Sequence, residues 1–430
     1  MNIEIIPSKL HGNVRILPSK SHAHRLLIAC RLAELQGCPG APAAAESIPA
    51  FSKDIEATKN CLAQMDKAKP YLDCGESGST LRFMLPVAMA LKEEAHFLGS
   101  GRLPERPISP LREEMERHGC RFYMQKDQRP SDRHKEICDV TGSLTAGDYS
   151  LPGNISSQFI TGLLFALPLL DGDSSLRLTT RLESAGYVDL TLNVLRSFGI
   201  RINVTSSGEG YNIYEINGNQ KYRTPDSLSL EGDWSNAAFW LVCGALGGSI
   251  TCSGLSLSSS QRDMQMLSIL EDMGAQVEAD PQSSEVTLSC PSGRLRAAEI
   301  SVAQIPDLVP ALAVCMAQAE GSSMIKDGER LKIKESDRLM TVYRLLSKLG
   351  ADISYGGTGL SFTGVPQLKG GEVSSFNDHR IAMAAAAASC ICSEPVIITG
   401  AEAVEKSYPH FFDDFRALGG IAREVQRIDI

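Results

Sequence analysis

The chain has no excess of positive charge. Its 42 Lys and Arg stand against 51 Asp and Glu, a net charge of −9 over 430 residues. A global basic field of the kind that holds nucleic acid is excluded, although local basic clefts are not. Long apolar runs are also missing. Stretches such as RIAMAAAAASCIC stop well short of the roughly 20 helical residues that span a bilayer, so no membrane segment is expected. The opening MNIEIIPSKL has no basic segment followed by an apolar core, which points to a cytoplasmic protein rather than a secreted one. There are twelve cysteines but no CxxC. The close pairs are Cys30 with Cys38 and Cys390 with Cys392, so zinc spacing is lacking and free thiols are expected. GxGxxG, GK[ST], HExxH and GxSxG are absent. His22 and His24 lie two apart and make a poor metal pair. Nothing asks for a nicotinamide, a flavin or a metal, and no cofactor is expected.

What is present is a soluble globular composition, 43% hydrophobic and 22% charged. The length exceeds what one hydrophobic core usually serves, so at least two domains are expected. Two kinds of segment alternate along the chain. The first opens with a small or polar cluster and continues apolar on nearly every face, the mark of a buried helix. These segments are LPSKSHAHRLLIACRLAE from Leu17, GESGSTLRFMLPVAMAL from Gly75, GNISSQFITGLLFALPLL from Gly153, GDWSNAAFWLVCGALG from Gly232, IPDLVPALAVCMAQAEG from Ile305 and FNDHRIAMAAAAASCIC from Phe376. The second kind is an amphipathic helix, a glycine and a short strand. Gly119, Gly199, Gly274 and Gly350 fall where a left-handed helix cap is expected, with looser copies at FFDDFRALGG and KDIEATKNCLAQ. A spacing of roughly 70–80 residues gives about six copies of one supersecondary unit. The expected class is α/β (α+β), with strands accompanying one buried and one amphipathic helix in each unit.

The first buried helix poses a problem. Pro18 and Ser19 suit its start, yet Lys20 and Arg25 sit in its opening turns. The positive end of the helix macrodipole disfavours cations there by roughly 0.3–1 kcal/mol each. If the buried helices run parallel, several positive ends meet at one place and form an anion site. The other starts carry Glu76, Ser77, Gly78, Ser79 and Arg82, then Ser156, Ser157 and Gln158, then Asp307, then Asp378, His379 and Arg380. Loops ahead of the amphipathic helices add Arg106, Ser184, Tyr187, Lys334, Glu335, Arg338 and Lys406. Each has a plain reading as a cap, a first-turn acid or a solvated turn. If helical, Lys334 and Arg338 would also repel at i,i+4. Seven of these cations, Lys20, Arg25, Arg106, Lys334, Arg338, Arg380 and Lys406, spread over several repeats, point instead to a multiply charged anionic substrate.

PSKSHAHR, GESGSTLRF, LPERPI, SSQF, IPDLVP, KIKESDRL, NDHRIAM and EKSYPHFF occur in this order over the whole chain. In this the sequence resembles the 5-enolpyruvylshikimate-3-phosphate synthase family of enolpyruvyl transferases. The resemblance implies two similar domains, each of three βαβαββ repeats around buried parallel helices in an inside-out barrel, with the active site in the cleft between them. It places the domains at residues 1–19 with 229–430 and at 20–228. The implied reaction moves the enolpyruvyl group of phosphoenolpyruvate to the 5-hydroxyl of shikimate 3-phosphate and releases phosphate. The partners are these two small molecules, with no nucleic acid, no membrane and a monomeric chain. By motif, Lys20, Ser21, Arg25, Ser156, Ser157, Gln158, Ser184, Asp307 and Lys334 resemble the shikimate 3-phosphate site. Lys20, Gly78, Arg106, Gln158, Arg338, Arg380 and Lys406 resemble the phosphoenolpyruvate site. Asp307 corresponds to the base at the 5-hydroxyl, and Glu335 to the acid at the methylene carbon, helped by His379 or Lys20. Glyphosate is the inhibitor that the family implies, and Gly78 is the residue against which its extra length is tested.

Two positions depart from the pattern. Glu76-Ser77-Gly78-Ser79 stands where many members have Asn-Ala-Gly-Thr, and Arg330 replaces an Asn. The sister enzyme acting on UDP-N-acetylglucosamine uses a Cys in the loop that here reads GSGRLPERPI, which has none. A sliding clamp would need cations along exposed helix faces, whereas these concentrate at helix starts and in loops.

Overall fold

The structure, a computed structural model, describes residues 1–124, 135–208 and 211–426. The chain divides into two compact units, Met1–Ser19 with Glu231–Ile430, and Lys20–Leu230. Each has its own apolar core. Buried helices run through both. Lys20–Leu35, Gly78–Leu91 and Ser157–Ala166 belong to the second unit, and Trp234–Ala245, Val309–Gln318 and His379–Ser389 to the first. Leu, Ala, Phe and Met cover nearly all their faces, so each must be surrounded by protein.

The amphipathic helices Leu111–Arg117, Ala185–Ser197, Met266–Asp272 and Arg338–Lys348 end as expected, just before glycines with φ of 98°, 81°, 102° and 93°. A residue with a Cβ is strained in that left-handed conformation, so glycine can stop the helix and redirect the chain into a strand. The strands Arg121–Met124, Ile202–Ser206, Gln276–Asp280 and Asp352–Tyr355 follow.

Among the described residues there are five four-stranded sheets, all of one topology. In Tyr71–Asp73, Glu94–Gly99, Arg121–Met124 and Lys135–Thr141, the first two strands are parallel, and the buried helix lies between them in sequence. The fourth strand pairs antiparallel with both the second and the third. Asp148–Leu151, Ser174–Leu178, Ile202–Ser206 and Asn212–Ile216 repeat this order. So do Glu299–Ser301, Ser322–Lys326, Asp352–Tyr355 and Leu360–Thr363. The remaining two sheets draw on the N-terminus. Asn2–Ile6 is the fourth strand beside Gly371–Ser374, Val396–Thr399 and Ile421–Glu424. His11–Arg15 is the first strand, parallel to Ser249–Ser253.

One repeat differs from expectation. The unit opened by Lys20–Leu35 has no four-stranded sheet among the described residues, which leaves three sheets in one compact unit and two in the other. Its APAAAE stretch forms the short helix Ala41–Glu46, with a proline at the helix start. Alanine and proline are poor strand formers and suit a helix start, so composition decides the outcome.

The crossings between the units are tied together. Pro18 and Gly232 form an antiparallel bridge. The Ser19 N–H donates to Glu231 O at 2.7 Å, and the Asp233 N–H to Leu17 O at 2.9 Å.

Candidate active site

In the Lys20–Leu230 unit, the starts of the three buried helices are stitched to one another. None of the three carries an acid in its first turn. Lys20 Nζ lies 2.7 Å from Asp54, a first-turn residue of the helix Lys53–Ala63. Arg25 is buried and reaches across helices. Its Nε donates to Thr191 Oγ1 at 2.8 Å, Nη1 to Ser21 O at 2.6 Å, and Nη2 to Tyr187 O at 2.9 Å and Thr161 Oγ1 at 3.3 Å. Among the described residues no carboxylate pairs with it. Its guanidinium also stacks on the Phe83 and Tyr187 rings. Burial pushes its pKa down to about 9 despite an opposing pull from Tyr187, as expected for a desolvated cation that lacks a counter-charge.

Gln158 is held at both ends of its amide. Arg82 Nη1 donates to its Oε1 at 2.6 Å, and its Nε2 donates to Ser79 Oγ at 2.9 Å. Arg82 also donates to Pro107 O at 2.9 Å, in the loop that carries Arg106. The Arg106 guanidinium lies against the Cα of Gly78, and a Cβ there would stand 2.7 Å from Nη1. The departure from the family pattern at Glu76 is accommodated by another glycine. A Cβ on Gly101 would meet the Glu76 carboxylate at 2.3 Å, so that carboxylate occupies the space. Ser156 caps the helix Ser157–Ala166 by accepting from the Gln158 N–H. Ser184 is buried with φ 53° and ψ 44°. A serine held in the left-handed region is costly and tends to mark a functional position. His22 and His24 serve packing. Burial, then Arg25, lowers His22 to about 4, and His24 Nδ1 meets Thr58 Oγ1 at 2.7 Å.

In the other unit, Arg338 is the hub. It is 1% exposed. Its Nε bonds Asp378 at 2.8 Å, Nη1 bonds Asp307 at 2.6 Å and Nη2 bonds Glu335 at 2.7 Å. Burial opposes its charge, but Asp378, Glu335 and Asp307 outweigh that and hold it firmly protonated. Lys334 reaches the same Asp307 oxygen at 3.3 Å, and Arg380 Nη2 lies 3.7 Å from the other. Burial would raise the Asp307 pKa. Lys334, Arg380 and Arg338 together hold it well below the usual carboxylate range. Lys334 and Arg338 do not share the helical turn that an i,i+4 pair would need, although their like charges still oppose each other. Lys334 is extended at the end of the turn Glu329–Ile333 and Arg338 opens a new helix, so both converge on Asp307. Burial lowers the Lys334 pKa, Asp307 pulls it back up, and Arg338 and then Arg330 lower it as like charges.

Asp378 caps the helix His379–Ser389 by accepting from the Arg380 N–H. Just before it, Phe376 and Asn377 both have positive φ, 52° and 55°, and the Asn377 carbonyl accepts from Lys406 Nζ at 2.7 Å. His379 is buried beside them. Every residue singled out in the sequence for this unit therefore belongs to one cluster.

Two charged residues of these clusters, Asp54 and Asp263, were not singled out in the sequence, and Arg82 was noted at its helix start but given no partner. Asp54 reads as an ordinary first-turn acid after the Ser52 cap, Arg82 as one cation within an apolar helix, and Asp263 as part of a polar loop. Their partners Lys20, Gln158 and Ser235 lie 34, 76 and 28 residues away, so local spacing gives no signal. No group of three or more metal-binding side chains occurs among the described residues.

A profile of the EPSP synthase (3-phosphoshikimate 1-carboxyvinyltransferase) family matches residues 5–415. The chain is 43% identical over 430 residues to the 3-phosphoshikimate 1-carboxyvinyltransferase of Clostridium kluyveri, covering 97% of each chain. It is 42% identical to that of Clostridium perfringens, covering 98% of this chain and 99% of the other. Among solved structures, EPSP synthase from Acinetobacter baumannii shares the fold with a TM-score of 0.72 at 22% identity, over 98% of this chain and 100% of the other. So does the enolpyruvyl transferase NikO from Streptomyces tendae, with a TM-score of 0.72 at 17% identity over 98% of each chain. The matched length and the identities to the clostridial enzymes place this chain in the EPSP synthase family.

Proposed function

We propose that this protein transfers the enolpyruvyl group of phosphoenolpyruvate to the 5-hydroxyl of shikimate 3-phosphate, with release of phosphate, and that the clusters in both units serve this one reaction. Family membership supports the activity. The observation that carries the site assignment is Arg25, a buried guanidinium bonded only to hydroxyls and carbonyls. Such a charge is stable only with an anion supplied from outside. Shikimate 3-phosphate supplies one, with Lys20, Ser21, Ser156, Ser157, Gln158, Ser184 and Lys334 as its further partners. Phosphoenolpyruvate takes Arg106, Gly78, Arg338, Arg380 and Lys406, with Lys20 and Gln158.

The acids give the mechanism its control. Arg338 is shared by Asp307, Asp378 and Glu335. In that state Asp307 is too weak a base to accept the 5-hydroxyl proton. An incoming substrate carboxylate competes for the guanidinium. Each bond it takes from Asp307 or Glu335 raises the proton affinity of the released carboxylate. Asp307 then accepts the hydroxyl proton while Glu335 delivers one to the methylene carbon, with His379 or Lys20 assisting. Addition gives a tetrahedral intermediate. Loss of phosphate then gives the enol ether: the methyl group returns its proton to Glu335, and the proton taken from the hydroxyl by Asp307 leaves on the phosphate.

We assign the compact units as the two domains of the family, close to 1–19 with 229–430 and 20–228, and the working form as a cytoplasmic monomer that needs no cofactor. No helix among the described residues is long and apolar enough to cross a membrane. A coupled phosphate-release assay tests the reading. Release with shikimate 3-phosphate and none with UDP-N-acetylglucosamine is expected, and the reverse pattern overturns it.

A further inference from the structure

The acids given roles so far do not include the buried carboxyl of Asp263. Asp263 lies in the turn Arg262–Gln265 and is 4% exposed. Ser235, in the first turn of the buried helix Trp234–Ala245, donates its hydroxyl to Asp263 Oδ2. Three segments present charge or hydrogen bonds to it. They are Asp307 ahead of the helix Val309–Gln318, Arg380 in the helix His379–Ser389, and Asp233 with Ser235 at the start of Trp234–Ala245. Asp263 thus stands in the same buried field as Asp307 and Arg380, and Arg380 is also the partner of Asp307.

We infer that Asp263 is a positioning residue for the base Asp307, acting through the Arg380 charge that both carboxylates face. The inference rests on the reading of Asp307 as the base. When Asp263 is ionised it repels the charge on Asp307 and takes a share of the Arg380 field. Both effects raise the proton affinity of Asp307 and make it a better acceptor for a substrate hydroxyl. When Asp263 is protonated, Arg380 acts on Asp307 alone and holds its proton affinity down. The fold gives Asp263 a titration in a useful range. Burial, then Asp307, pushes its pKa up to about 6 against the pull of Ser235 and Arg380. Two carboxyls forced apart in this way commonly take different roles around one reaction centre.

The test is the pH profile of kcat for the full chain with shikimate 3-phosphate and phosphoenolpyruvate, for wild type, Ser235→Ala and Asp263→Asn. Wild type should lose turnover on an acid limb centred near 6. Ser235→Ala removes a hydrogen bond that favours the ionised carboxylate, so the limb should move up by about one pH unit. Asp263→Asn keeps the shape and can still hydrogen-bond Ser235. It should lose the limb and run roughly tenfold slower at neutral pH, with KM for both substrates within about twofold of wild type. A purely structural role would lower the amount of folded enzyme but leave the limb where it was. An unmoved limb in both variants overturns the inference. Asp307→Asn in parallel separates the two ideas. If that variant turns over normally, the base assignment is wrong whatever the limb does.

Discussion

The guanidinium of Arg106 occupies the place where a side chain on Gly78 would begin, with Nη1, Cζ and Nη2 at 2.7, 2.8 and 2.9 Å from an ideal Cβ. The obstacle is the far end of a flexible side chain, so Gly78→Ala should fold with little loss of stability while pushing Arg106 aside. Phosphoenolpyruvate should then bind less tightly. Glyphosate, the longer ligand implied for this position, should lose more, because it meets both the methyl and the displaced arginine. Inhibition and Michaelis constants for both forms check the ratio. Equal losses would mean that Arg106 displacement alone accounts for the effect.

Arg338 touches Asp307, Asp378 and Glu335 at once. Arg338→Met should cost about 3–5 kcal/mol in unfolding free energy, because it strands buried carboxylates. Arg338→Lys should recover only part of that, since an ammonium cannot reproduce the planar fork. Urea midpoints at neutral pH measure both. Asp307 sits below its unfolded value, so its contribution is present above about pH 4 and is lost as pH falls through the depressed native value. The penalty of Arg338→Met should therefore shrink in strong acid.

Asp263 runs the other way. Its native value lies above the unfolded one, so the native chain holds this proton more tightly than the unfolded chain does. The stability this gives is fully present below about pH 4 and is lost as pH rises through about 6. At neutral pH the buried charge is a net cost on the order of 3 kcal/mol. Asp263→Asn should therefore be more stable than wild type at pH 7.5, with the gap closing towards pH 4. A variant less stable at both values would contradict the sign.

Ser184 offers a similar exchange of stability for function. Glycine adopts its backbone conformation without strain, so Ser184→Gly should gain about 0.5–1 kcal/mol in stability. Losing the hydroxyl should raise KM for shikimate 3-phosphate. Ser184→Ala should show the kinetic loss without the gain. Thermal melts beside steady-state kinetics distinguish the pair.

Asp307→Asn and Glu335→Gln should each retain shikimate 3-phosphate binding by calorimetry and lose at least about 10²-fold in turnover. Near wild-type turnover in either would remove that residue from proton transfer.

Much of this was legible because it is periodic. Helices without a polar face have to be buried, and a glycine after an amphipathic stretch has to end it. These rules located the buried helices and the caps at Gly119, Gly199, Gly274 and Gly350. The same expectation of regularity failed after Leu35, where APAAAE replaces strands with a helical turn. It failed again at Lys334 and Arg338, where an i,i+4 spacing conceals a break between two helices. The positions of Lys20, Arg25, Asp307 and Arg338 were readable as charges placed against the usual preference of helix ends. Their partnerships were not. Asp54 and Asp263 look like a first-turn acid and a loop polar until distant segments are brought beside them, and the pairing of Arg82 with Gln158 needs long-range information that a local pattern does not contain.

The bridge between Pro18 and Gly232 makes the 20–230 unit an insertion with neighbouring ends. The chain leaves at Ser19 and returns at Glu231, and these two residues are hydrogen-bonded to each other. The strand His11–Arg15 already pairs with Ser249–Ser253 across the whole inserted length. The host can therefore close its sheets with the guest removed. A few glycines and serines joining residue 19 to residue 231 would span the gap, yielding a truncated protein that keeps three sheets and the whole carboxylate cluster around Arg338. The ends of the guest are equally near, so residues 20–230 can be joined tip to tail and reopened at a surface turn. Modularity of this kind lets either half be swapped, shuffled or evolved as a cassette while the other keeps its register.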